Sequence, residues 1–208
     1  MARNVCFVAM GDSLTVGFIS TRLAIQPYTN FLEKYVDNSL KELGRKNTIQ
    51  ITIINRGVNG DLTSHMFLRF RQEVVDLKPD CVIILGGTND IGWGFPVEEI
   101  FSNLQRMFET AIDEGIKPVG CTVPSILGWD KGIAPRLELN RSLMDFCYAK
   151  EIPCADLFAS TCDPKTRRLR SDYSSDGLHL NISGYRKIAE TIFEEAIKAL
   201  LIRKLNLG

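Results

Sequence analysis

Along the chain, short runs rich in β-branched and apolar residues alternate with longer stretches whose apolar positions recur every three or four residues. The short runs fall at 5–10, 49–55, 81–85, 119–122 and, more weakly, 152–156. Between them, residues 28–43 bring Phe31, Leu32, Tyr35, Val36 and Leu40 near one helical face, and Gly44 marks the stop. Residues 63–77 carry Met66, Phe67, Phe70, Val74 and Leu77 at helical spacings. Pro96 suits the first turn of a helix over 97–114, closed by Gly115. A fourth helix is expected over 135–150. The last covers about 183–203, with Asn181 or Ser183 as its cap. The least regular stretch is 161–178, rich in Asp, Ser and Arg. A loop of that length inside a compact domain is usually functional or disordered.

Strands that alternate with helices imply right-handed βαβ units and a parallel sheet covered on both faces. Five strands suit an α/β, flavodoxin-like three-layer α/β/α sandwich with a five-stranded parallel sheet in the order 2-1-3-4-5. In such sheets ligands bind beyond the carboxyl ends of the strands where the order reverses, which here is the gap between the first and third strands. The 208 residues suit one domain over 1–208, and 45% hydrophobic residues supply a sizeable core.

Charge narrows the partners. The formal net charge is zero, so no excess points to nucleic acid or to an anionic membrane. The apolar run at 5–10 is too short for a signal-peptide core, and no stretch is long enough to span a bilayer. A cytoplasmic protein without stable membrane insertion is expected. Cys6, Cys81 and Cys121 sit inside strand-like runs, where cysteine acts as a small hydrophobe. No Cys-x-x-Cys pair occurs, so zinc and thioredoxin-like readings lack their signature. The apolar end of the chain, 199–207, packs on the domain or forms a dimer contact; the oligomeric state stays open.

Candidate chemistry gathers in the loops after the strands. The first strand runs into Gly11-Asp12-Ser13-Leu14, which puts a serine at the sheet's edge. A serine hydroxyl needs an adjacent base, and the chain has two histidines, His65 and His179. His179 follows Asp176 by three residues in Ser175-Asp176-Gly177-Leu178-His179. A carboxylate so placed in a turn can reach the imidazole Nδ1–H and leave Nε2 free to take a proton. His65, in Thr63-Ser64-His65-Met66, reads better as a solvated or capping residue. Attack on an ester also needs donors for the oxyanion. Gly60, in the loop after the second strand, allows close approach of a backbone N–H, and Asn89, after the third, offers a side-chain amide. With the order 2-1-3, Ser13, Gly60 and Asn89 become neighbours, and Asp176 and His179 follow the fifth strand and can fold over the same edge.

These residues resemble the GDSL, or SGNH, hydrolase family over nearly the whole chain. The blocks are Gly11-Asp12-Ser13-Leu14, Gly60 within Asn59-Gly60-Asp61, Gly87-Thr88-Asn89-Asp90, and Asp176-Gly177-Leu178-His179. The resemblance implies hydrolysis without a metal or organic cofactor, a Ser13–Asp176–His179 triad, and an oxyanion hole built from the backbone N–H of Ser13 and Gly60 and the Asn89 side chain. It also implies a small-molecule ester substrate. The Gly-x-Ser-x-Gly elbow of α/β-hydrolases is absent, since Leu14 and Thr15 follow Ser13.

Trp93 and Trp129 fall in glycine-flanked loops at the same edge, where they line a substrate pocket or pack the loops onto the domain. No lid insertion or amphipathic membrane helix is evident, which favours short-chain or soluble esters. An O-acetylesterase on carbohydrate, a thioesterase, a lysophospholipase and an acyltransferase would use the same residues. A flavodoxin-like binding module, with 13–17 cradling a phosphate, would leave Asp176 and His179 without a task.

Overall fold

The computed structural model describes residues 3–205; the last residues of the apolar tail, 206–208, lie outside the described residues. Strand β1 (Arg3–Gly11) occupies the middle of a parallel sheet. On one side it pairs with β2 (Ile49–Gly57), with Arg3 opposite Ile49 and Gly11 opposite Gly57. On the other it pairs with β3 (Cys81–Leu85), with Gly11 opposite Leu85. Strand β4 (Lys117–Cys121) lies beyond β3, and the two-residue β5 (Cys154–Ala155) forms the edge. The order is therefore 2-1-3-4-5, the order expected of a flavodoxin-like five-stranded sheet.

The strands read as continuous apolar runs because both faces are covered. Val5, Phe7 and Ala9 join one buried cluster, and Val8 and Met10 join the other. In β3, Cys81, Ile83 and Leu85 face the first cluster while Val82 and Ile84 face the second. That is the period of two in a pleated strand. Helices α1 (Tyr28–Glu42) and α5 (Ile182–Ile192) cover the first face through Tyr28, Leu32, Val36, Leu40, Tyr185, Ile188 and Ile192. Helices α2 (Thr63–Glu73), α3 (Val97–Asp113) and α4 (Ile133–Ala149) cover the second. Each fully buried Leu, Ile or Phe contributes about 1.5–3 kcal/mol of burial free energy.

Several boundaries move for local reasons. The helix expected over 63–77 ends at Glu73, and Val75–Leu77 tightens into a 3₁₀ turn. The last helix changes pitch to a π turn at Phe193–Ile197 before resuming at Lys198–Leu205. Helical turns at Ser13–Val16, Thr88–Trp93 and Leu157–Thr161 and a small ribbon pairing Phe18–Ile19 with Ala24–Ile25 have no counterpart in the hydrophobic pattern. Segments of two to six residues are too short to display a period.

The irregular 161–178 stretch is held in place. Cys162 bridges Leu169, Ser174 bridges Leu180, and Leu169 N–H donates to Ile126 O at 3.1 Å. No disulfide joins the six cysteines; Cys81 and Cys121 are buried and Cys6 is half-buried.

Candidate active site

The register of the sheet decides where the loops begin. Gly11 ends level with Gly57 and Leu85, so the loops after β1, β2 and β3 leave the sheet side by side. Gly11 is needed for this closeness: a Cβ there would lie 2.4 Å from Leu85 O and 2.2 Å from Thr15 Oγ1.

Ser13 opens the short helical turn after β1 and is only 5% exposed. Asp12 caps that turn by accepting from Leu14 N–H at 2.9 Å, and Thr15 and Val16 N–H donate to Asp12 O. The Asp12 carboxyl is fully buried, and its second oxygen has no hydrogen-bond partner. Burial, with the nearby Asp90 and Asp61, pushes its pKa up to about 7 against the Leu14 N–H and Arg136.

Ser13 Oγ lies 3.1 Å from His179 Nε2. On the other side of the ring, His179 Nδ1 lies 2.8 Å from Asp176 Oδ2. Asp176 Oδ1 accepts from Leu178 N–H at 2.9 Å and His179 N–H at 2.7 Å. Burial works against ionisation of Asp176. The hydrogen bonds from the His179 ring, from these two N–H groups and from Ser20 outweigh it and hold the carboxyl at about 2. An ionised carboxylate only accepts, so Nδ1 carries the ring proton and Nε2 turns a lone pair to Ser13. Phe18 packs edge-on against the imidazole at 5.1 Å and fixes its plane.

The segment carrying Asp176 and His179 is fastened at both ends. Ser175 N–H donates to His179 O at 2.8 Å, and Ser175 Oγ lies 2.8 Å from Ser20 Oγ on the ribbon after Ser13. Asn181 caps α5 through Gly184 N–H and donates to Asp172 O and Ser174 O. Gly177 has φ +98°, and a Cβ there would sit 2.5 Å from Leu127 O, so no other residue fits without a backbone shift. Leu127 N–H donates to Gly177 O at 2.8 Å and pins the segment to the loop after β4.

Gly60 is exposed in the turn after β2. Among the described residues, neither the Ser13 nor the Gly60 N–H finds a protein acceptor. Asn89 Nδ2 donates one hydrogen to Asp61 O at 2.9 Å, which orients the amide and leaves its other hydrogen without a protein partner. Two further ties hold the loop after β2, one to the turn after β3 and one to the end of β1. Asp90 accepts from Thr63 N–H and Thr63 Oγ1, and Asp61 accepts from Arg69 Nε, whose Nη2 also donates to Gly11 O.

His65 stands apart. It is exposed, its Nδ1 lies 3.6 Å from Asp61 Oδ1, and no hydrogen bond joins it to Ser13. Trp93, Trp129, Ile126 and Leu178 line one cleft of about 340 Å³ with Thr88 and Asn89, and Arg136 contributes to the same wall. Trp93 is 78% exposed and Trp129 38%. The sequence reading missed Asp61, Thr63, Asp90, Arg69 and Arg136. Two of them stand next to residues it named. Arg136 had a signal of its own, a charge on the stripe that Leu139, Leu143 and Cys147 bury. Among the described residues no helix is long and apolar enough to cross a membrane, and no cluster of three metal-ligating side chains occurs.

Comparison with known proteins fits this geometry. The lipase/acylhydrolase from Enterococcus faecalis superposes with a TM-score of 0.75 at 26% identity, covering 92% of this chain and 94% of that one. The N-acylneuraminate cytidylyltransferase of Streptococcus agalactiae serotype III is 30% identical over 142 residues, 66% of this chain and 33% of its own length. The arylesterase of Vibrio mimicus is 31% identical over 112 residues, 54% of this chain and 51% of its own length. The chain thus spans about a third of the cytidylyltransferase and about half of the arylesterase. The profile of the GDSL-like Lipase/Acylhydrolase family matches residues 9–187, from inside β1 to inside α5, and the chain belongs to that family.

Proposed function

We propose that the chain is a serine esterase, one hydrolase domain over 1–208, that cleaves small soluble carboxylic esters through an acyl-enzyme on Ser13. The observation that carries this is the line Asp176 Oδ2, His179 Nδ1, His179 Nε2, Ser13 Oγ, with steps of 2.8 and 3.1 Å.

Ser13 Oγ attacks the acyl carbonyl carbon as its proton passes to His179 Nε2. Asp176 stabilises the imidazolium and stays ionised. The tetrahedral oxyanion takes hydrogen bonds from the Ser13 and Gly60 N–H and the Asn89 amide, donors that are ready before the charge develops. Collapse expels the alcohol, which leaves with the proton from His179. Water then attacks the acyl-enzyme, gives its proton to His179 and releases the acid, and the proton returns to Ser13 Oγ. An imidazole must be neutral to act as the base, so turnover falls on acidification.

Trp93 and Trp129 would wall the substrate cleft, and its size of about 340 Å³ favours a small ester over a long acyl chain. Six free thiols suit a reducing compartment, in keeping with a cytoplasmic protein. Hydrolysis of p-nitrophenyl acetate by the wild type and by Ser13→Ala tests the reading. The expected result is turnover by the wild type and a loss of about 10⁴-fold or more in a folded variant. Equal turnover by both proteins removes Ser13 as nucleophile.

A further inference from the structure

Arg136 is a buried charged residue beside the second core layer, at 1% exposure. It sits on the inward stripe of α4 with Leu139, Asn140, Leu143 and Cys147. Asn140, its polar neighbour on that stripe, is fully used: Oδ1 accepts from Val123 N–H at 2.7 Å, and Nδ2 donates to Val123 O at 3.0 Å. Arg136 is not. Nη1 donates to Gly132 O at 2.9 Å, and Nε is buried with no partner. No acidic side chain lies within ion-pair distance of it among the described residues.

Other arginines are ion-paired, although Arg56 also keeps a buried Nε without a hydrogen-bond partner. Arg69 is paired with Asp61 and Glu73, Arg168 with Asp130, and Arg170 with Asp172. The acidic group that acts on Arg136 is Asp12, which lies beyond ion-pair distance and is itself pushed by burial to about 7. Burial also draws the Arg136 guanidinium down to about 10, with Asp12 opposing, which leaves it cationic at neutral pH. A buried cation without a counter-charge is costly, and such groups persist where a ligand supplies the missing partner.

Its position names the ligand. Arg136 lines the same cleft as Asn89, Trp93, Trp129 and Leu178, the last next to His179. The guanidinium lies 5.8 Å from the Trp129 ring. We infer that Arg136 selects substrate, and that the ester taken by this cleft carries a carboxylate. The aromatic walls cover the body of that substrate, and the buried charge in the cleft wall is screened by water less than an exposed one. This deepens the esterase reading and rests on it for the ester.

The test separates binding from catalysis. Calorimetric titration of the wild type with benzoate and with its neutral counterpart benzamide should give a dissociation constant for benzoate about tenfold lower or better. Arg136→Gln should abolish the difference, and Arg136→Lys should restore part of it. Kinetics then use neutral p-nitrophenyl acetate against two anionic esters, mono-p-nitrophenyl succinate with the charge on the acyl side and 4-acetoxybenzoate with it on the alcohol side. For one of the two, Arg136→Gln should lower kcat/KM about 30-fold further than for the neutral ester, and which one tells which side of the ester the cleft holds. Equal affinity of the wild type for benzoate and benzamide overturns the inference even if the variants fail to fold. So does an Arg136→Gln loss that is the same for all three esters. A preference for benzoate in a protein that cleaves no ester leaves the anion site standing and removes the esterase reading instead.

Discussion

Two regions meet at Ser13 and are built in opposite ways. The region of the proposed nucleophile, Gly11 to Gly17, grows from the central strand, and Asp12, Leu14 and Thr15 are at most 1% exposed. The region of the proposed base, Ser174 to Asn181, is a half-buried loop without a strand or helix of its own. The first is positioned by packing over the whole sheet. The second is positioned by individual hydrogen bonds, local ones from two backbone N–H groups to Asp176 and from Asn181 to Asp172 and Ser174, and a distant one between Ser175 and Ser20. In the proposed mechanism a sheet holds the atom that attacks, and a loop holds the imidazole that exchanges protons with it.

Substitutions in the base's region should break the comparison most strongly. Asp176→Asn keeps the shape and removes the charge that sets the tautomer; turnover should fall about 10³–10⁴-fold with little change in KM. The same variant should flatten the acid limb of stability. The folded carboxyl sits at about 2, below its unfolded value, so its contribution is complete above about pH 4 and lost as pH falls towards 2. Thermal melts between pH 2 and 5 measure this.

Gly177→Ala forces a Cβ against Leu127 O and should displace His179, lowering turnover about 100-fold and stability by about 1–3 kcal/mol. Asn89→Ala keeps both regions intact and removes one oxyanion donor, for a loss of about 10²-fold in kcat. Unchanged turnover would take Asn89 out of the mechanism.

Asp12→Asn probes the nucleophile's side. A carboxyl raised to about 7 contributes stability that is complete below about pH 4 and lost as pH rises through 7. Asparagine still caps the turn but does not titrate. The variant should therefore gain on the wild type as pH rises from 4 to 8, as read by denaturant titrations. The smallest effect is expected of His65→Ala, which removes an exposed ring from Asp61 and should leave turnover within about twofold, since surface changes are usually within ±0.5 kcal/mol.

Much of this was legible without a structure. The strand at 81–85 matches the observed element, and the helix starts at Tyr28, Thr63 and Val97 agree, because long periodic segments with Gly or Pro at their ends announce themselves. The short helical turns and the ribbon were not legible, since too few residues show a period. The loop at 161–178 read as irregular because its order comes from contacts with Ile126, Leu127 and Ser20, distant in sequence.

By itself the sequence determined the layers and the residue types available at the sheet's end, because periodicity and turn residues are local and every residue carries its own. Only the tertiary structure decided what those residues face. Register set Gly11 level with Gly57 and Leu85, the loops then tied Asn89 to Asp61 and Asp90 to Thr63, and α4 delivered one charge without an ion-pair partner, Arg136, to the cleft. Pairing across the fold depends on distances between remote segments, and no local pattern encodes those.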